Sequence, residues 1–120
     1  MTNLESTRER YLRDSLPRRL GGLASTLARI SSSARHASDA ESVAGMMEEG
    51  QYFIEWTAAE ALTEVAAELV DIQVALAMWR KIWPEAQHHP SHRGLLSFQA
   101  KKWSDQVIDY SGLLNPSPAD

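Results

Sequence analysis

Cysteine is absent from the 120 residues, which removes both a disulfide framework and thiolate metal sites from consideration. A reducing cytoplasm is the setting such a composition suits. Long apolar runs are missing too, none approaching the roughly 18 residues that a membrane span requires. The opening Met1-Thr2-Asn3-Leu4-Glu5 lacks a basic segment followed by an apolar one, so neither membrane insertion nor secretion is expected. Proline and glycine are scarce, 5 and 6 residues, while 43% of the chain is hydrophobic and 23% charged. That balance excludes a disordered chain and a loop-rich scaffold. At this length burial supports one core and not two. The expectation is therefore one domain over 1–115 and a disordered tail over 116–120. No repeat, low-complexity block or alternating β pattern is visible.

A further absence is local. Residues 37–79 contain nine acids and no Lys or Arg, a block of -9 within a chain whose net charge is only -4. Residues 1–36 carry seven Arg against Glu5, Glu9 and Asp14. Residues 80–103 are again basic. Basic and acidic helices lying side by side would neutralise one another, whereas an acidic face left open would steer a partner.

What is present is helical periodicity. Leu16, Leu20, Leu23, Leu27, Ile30 and Ala34 step by 4, 3, 4, 3, 4, which keeps one stripe on one helix face. This predicts a first helix over 4–34, kinked near Ser15 to Pro17. Ser38 with Glu41 reads as a capping box opening a second helix over 39–55, and Thr57 with Glu60 repeats that pattern before a third over 58–83. One continuous helix across both is the alternative, because helical phase is kept from Ile54 through Val65 with no Pro or Gly between. Leu62, Val65, Leu69, Ile72, Leu76, Trp79 and Trp83 carry the third stripe, which Pro84 should end. A loop to His92 and a fourth helix over 91–114, closed by Gly112, complete an all-α, mainly antiparallel four-helix bundle.

Catalytic constellations do not emerge. Glu85 and His88 have the Glu-x-x-His spacing of carboxylate-bridged metal bundles, but only one copy exists and it falls between two prolines. Glu60, Glu64, Glu68 and Asp71 form a carboxylate stripe suited to pairing with Arg18, Arg19 or Arg29. Ser33, His36 and Asp39 share a polar turn with no oxyanion loop beside it. No phosphate-cradling motif or cofactor signature occurs, and the basic N-terminal stretch around Tyr11 sits in a chain of pI near 5.5, which argues against nucleic acid.

The aromatics point to binding. Val43, Met46, Met47, Tyr52, Phe53, Ile54 and Trp56 surround the second helix on more than one side, so a single packed face would leave some of them open. Met46, Met47, Tyr52, Phe53 and Trp56 are the candidate interface of a homodimer and of a further protein partner. Met78, Trp79 and Trp83 are the candidate lining of a slot for a flat apolar ligand.

The stretch Gln51-Tyr52-Phe53-Ile54-Glu55-Trp56-Thr57-Ala58, followed by Glu68-Leu69-Val70-Asp71-Ile72-Gln73 and Trp79, resembles a group of small all-helical proteins encoded in cyanobacterial genomes. The likeness spans roughly Leu12 to Trp83. That group has no assigned activity, so the resemblance implies a cytoplasmic helical protein with a non-enzymatic accessory role and carries over no functional residue.

Overall fold

The computed structural model describes residues 3–112, all-α and without strands among them. Five α-helices follow in chain order: α1 (Leu4–Arg13), α2 (Leu16–Ala34), α3 (Val43–Thr57), α4 (Thr63–Ala86) and α5 (Pro90–Ser111). The helical residues expected at Leu113 and Leu114, and the expected tail over 116–120, lie outside the described residues.

Five helices replace the four read from the sequence because the anticipated kink is a complete break. Asp14 and Ser15 are both extended, with ψ of 152° and 159°. Ser15 then caps α2 through its hydroxyl, which accepts from the Arg18 amide, and Pro17 falls in the first turn where its missing N–H is tolerated. Asn3 does the same for α1, accepting from the Ser6 amide at 3.0 Å.

Neither expected capping box forms. Ser38 and Glu41 lie in a 3-10 turn over Ala37–Ser42 that has no side-chain cap, and α3 starts only at Val43. Thr57 and Glu60 are drawn to other helices, as described below. A second 3-10 turn, Ala58–Glu60, and the extended residues Ala61 and Leu62 separate α3 from α4, so the two are not continuous. Pro84 does not end α4. It sits exposed in the last turn, where it costs only the bond to the Arg80 carbonyl, and the Gln87 amide resumes bonding at the Trp83 carbonyl at 2.9 Å. Gly112 closes α5 in the left-handed region, φ 72°, as its sequence position suggested.

The core draws on every helix after α1. Leu20, Leu23, Leu27 and Ile30 of α2 meet Val43, Met47 and Ile54 of α3, Leu69, Ile72, Leu76 and Trp83 of α4, and Leu96, Ala100 and Val107 of α5. Helix α2 is central, packing chiefly on α5 and then on α3, while α3 packs on α4. The α2–α5 seam is built from small residues. Ser31 Oγ donates to the Ser97 carbonyl at 2.8 Å, Ser97 Oγ returns the bond to the Ser31 carbonyl at 2.7 Å, and Ser104 Oγ donates to the Ala24 carbonyl at 2.8 Å. These hydroxyls satisfy themselves on the facing backbone, so burying them leaves no polar group unpaired.

Leu69 is fully buried at the middle of this core. Leu69→Ala is expected to lower folding stability by about 2 to 5 kcal/mol, as a buried leucine leaves a cavity that its neighbours fill only in part. Urea unfolding followed by circular dichroism measures this, and a loss below about 0.5 kcal/mol would contradict the packing described.

Candidate functional site

Helix α4 is apolar on two sides. One side supplies the core. On the other, Val70, Val74, Met78 and Ile82 recur every four residues and stand 43%, 54%, 65% and 51% exposed. Each four-residue step overshoots the helical turn by about 40°, so these side chains form a stripe that winds about a third of the way around α4. On α5, Leu95 faces Met78 and Ile82 across a groove, and Phe98 follows one turn on, 47% and 64% exposed.

The stripe stays open because α5 leans on α2 and touches α4 sparsely. A groove of about 640 Å³ remains between α4 and α5, with Met78, Ile82 and Leu95 on its walls and Trp79 at its base. Trp79 is 8% exposed and its Nε1 donates to Gln99 Oε1 at 2.9 Å, which fixes the ring as a floor for the groove.

Charge is polarised along this face. Lys81 and His92 lie toward the C-terminal half of α4, where Glu85 is the neighbouring acid, while Lys102 of α5 lies level with the middle of α4, its Nζ 5.7 Å from the centre of the Phe98 ring. Glu64 and Asp71 lie toward the N-terminal half, exposed and without a partner among the described residues. Glu68 between them accepts from Gln106 Nε2 at 2.9 Å.

The residues singled out in the sequence are distributed differently. Met78 and Trp79 do line the groove. Trp83 does not, since its ring is 1% exposed in the core and Nε1 donates to the Ala40 carbonyl at 2.7 Å. The proposed slot is corrected to Met78 and Trp79 with residues of α5. Met47 is likewise removed from the candidate interface, because it is wholly buried against α2 and α4. Met46, Tyr52, Phe53 and Trp56 are half-buried, Met46 because it packs on the core and Phe53 and Trp56 because Tyr11 of the chain's own α1 lies on them. Tyr11 stacks on Phe53 with ring centres 4.2 Å apart and 2° between planes, and Trp56 meets both rings at a tilt while stacking on Tyr52.

A polar network fastens this cover. The Tyr11 hydroxyl donates to the Arg19 carbonyl at 3.0 Å, and since it has one proton, the Thr57 hydroxyl 2.8 Å away is the donor to Tyr11. Arg19, 5% exposed, sends Nη1 and Nη2 to the two oxygens of Glu60, each at 2.8 Å, and Nε to the Asp14 carbonyl at 3.1 Å. The supposed capping pair Thr57 and Glu60 is thereby spent on holding α1 and the start of α2 against α3. The Arg19 guanidinium holds the Glu60 carboxyl below its usual range. Burial pushes the Tyr11 phenol up to about 12, against the smaller opposing effects of the Thr57 hydrogen bond and the Arg19 charge.

Raising the phenol's pKa in the fold means that the native state keeps its proton where the unfolded chain has lost it. Stability is then complete below the ordinary value near 10 and falls as pH rises toward 12. The expected decline is about 2 kcal/mol over that interval. Tyr11→Phe should flatten the part of the alkaline decline that tyrosinate absorbance identifies with this residue. An unchanged slope in the variant would place the titration elsewhere.

Of the acidic stripe on and before α4, only Glu60 meets an arginine among the described residues, where the other interhelical ion pairs are Arg29 with Glu49 at 2.7 Å and Arg80 with Glu48 at 3.2 Å. His89 and His92 approach edge to face with ring centres 5.0 Å apart, yet no group of three or more metal-ligating side chains exists among the described residues. No helix among the described residues is long and apolar enough to cross a membrane. Compared with protein-family models, curated proteins and solved structures, the chain matches none.

Proposed function

We propose that this chain acts by binding protein, first a second copy of itself, through the apolar face of α4 and α5. One observation carries the reading. The stripe from Val70 to Ile82 rises about 18 Å along α4 and meets Leu95 of α5 across the groove, with Phe98 beside Leu95 on α5 and no helix among the described residues covering it. An exposed apolar surface of that length is costly in water and marks a contact site.

Charge polarity favours a second copy as the occupant. A twofold axis across the middle of the stripe brings the Lys81 end of one protomer against the Glu64 and Asp71 end of the other. Self-complementary contacts of this kind are how twofold homodimers close. Helices α2 to α5 form the scaffold in this reading, an antiparallel four-helix bundle with α1 as a cover. The opposed numbering of the bonds Ser31–Ser97 and Ala24–Ser104 supports it for α2 and α5. The reading is of a non-enzymatic, cofactor-free cytoplasmic protein with an assembly or adaptor role, in keeping with the resemblance to small helical cyanobacterial proteins.

Light scattering across micromolar concentrations tests the proposal, the expected mass being twice 13.4 kDa. A monomer at every concentration would overturn it. In that event the second reading gains, a flat apolar ligand seated on Trp79 in the groove, which tryptophan fluorescence titration detects.

A further inference from the structure

A second cavity, distinct from the α4–α5 face, lies between the start of α1 and one flank of α3, with a volume of about 490 Å³. Gly45, Glu48, Glu49, Tyr52, Phe53 and Trp56 supply its α3 wall, spaced as one continuous helical face. The lining combines three aromatic rings with two carboxylates and includes no Lys, Arg or His.

Both carboxylates are oriented but not used up. Glu48 Oε2 accepts from Arg80 at 3.2 Å, and Glu49 Oε1 accepts from Arg29 at 2.7 Å and from Thr26 at 2.9 Å. The second oxygen of each has no hydrogen bond among the described residues. Arg80 and Arg29 each balance one of these carboxylates from outside the lining, so the negative groups the cavity itself presents are the two free carboxylate oxygens.

Ring faces carry negative quadrupoles, and aromatic walls spare a ligand that holds its hydration weakly. The lining offers an anion no donor from Lys, Arg or His. A bare metal ion requires several oxygen ligands at once and gains nothing from indole or phenyl walls. A cation whose charge is wrapped in methyl groups satisfies both halves of the lining. We propose that this cavity binds an organic ammonium, a quaternary or methylated amine, with its charge against the rings of Tyr52 and Trp56 and beside Glu48 and Glu49.

Calorimetric titration with choline tests this, alongside the neutral carbon isostere in which a tert-butyl group replaces trimethylammonium. Choline is expected to bind saturably and to perturb Trp56 emission, and the isostere to bind about tenfold more weakly or less. N-acetyl-trimethyllysine amide forms a second arm. Tighter binding than choline assigns the site to a protein-borne amine, and weaker binding to a free one.

Gly45 provides the control, because a Cβ placed there meets nothing within 4 Å, so a larger side chain grows into the cavity without displacing a neighbour. Gly45→Leu should abolish binding with the circular dichroism unchanged. Tyr52→Leu, which removes one wall and no hydrogen bond of the structure, should weaken choline at least about tenfold and decides the matter if Gly45→Leu alters the fold. No saturable choline binding, equal binding of the isostere, or full binding by Tyr52→Leu would each overturn the assignment.

Discussion

Trp83→Ala is expected to lower folding stability by about 3 to 5 kcal/mol, among the largest losses open to a single change in this chain. The ring is 1% exposed and lies edge to face with Trp79, centres 6.3 Å apart. Its loss removes the indole volume and one of two hydrogen bonds at the Ala40 carbonyl, which keeps the Val43 amide as donor. The two contributions separate experimentally. Trp83→Phe restores most of the volume but not the donor, and should cost about 0.5 to 1.5 kcal/mol. Urea midpoints of the two variants measure both. Equal destabilisation would mean that the hydrogen bond to the 3-10 turn contributes everything, and a loss below about 1 kcal/mol in the alanine variant would show that Trp83 is not a core residue.

Dimer dissociation should rise roughly a thousandfold in the double variant Met78→Glu with Phe98→Glu, taking each side chain as an anchor of about 1 kcal/mol that a twofold dimer loses twice. Both side chains are about two-thirds exposed in the free chain. Circular dichroism and thermal midpoint of the dissociated protomer should therefore match those of the unaltered chain. Phe53→Glu with Trp56→Glu is expected to behave in the opposite way. Those rings are stacked under α1, so the charges should loosen Tyr11 and lower stability while leaving the dimer mass intact. A dimer split by the second pair and not the first would move the interface to α3. Charge exchange refines the geometry: Asp71→Lys should weaken the dimer, and Lys81→Asp added to it should restore affinity if opposite ends of α4 meet.

The long stripes were the most readable part of the sequence. Leu20, Leu23, Leu27, Ile30 and Ala34 are all buried, as are Leu69, Ile72, Leu76, Trp79 and Trp83. The latter stripe overran at its start. Leu62 keeps helical phase on paper but is extended, with ψ of 148°, and stands 75% exposed. Capping boxes misled for a different reason. A Ser or Thr three residues before a Glu is a local pattern, whereas Thr57 and Glu60 are claimed by Tyr11 and Arg19 from more than 35 residues away. The surplus of apolar residues on α3 was visible, but what covers them is a separate helix that sequence reading merged with α2. Val70, Val74, Met78 and Ile82 had a signal, a strict four-residue repeat beside a three-four stripe. It went unused because one stripe already accounted for the helix. Ser97 and Ser104 carried no signal, since an isolated serine looks the same on a surface and in a seam.

The serine seam between α2 and α5 has a consequence for how the protein is made. Its bonds join residues 66 to 80 positions apart, and α2 is the helix on which the core is organised. Local pairing of α2 with α3 and of α3 with α4 can form early, but the main packing surface of α2 stays bare until α5 has been synthesised. On the ribosome the nascent chain therefore carries an uncovered leucine face through most of its translation. Truncation before α5 should yield an aggregating product and not a smaller stable bundle.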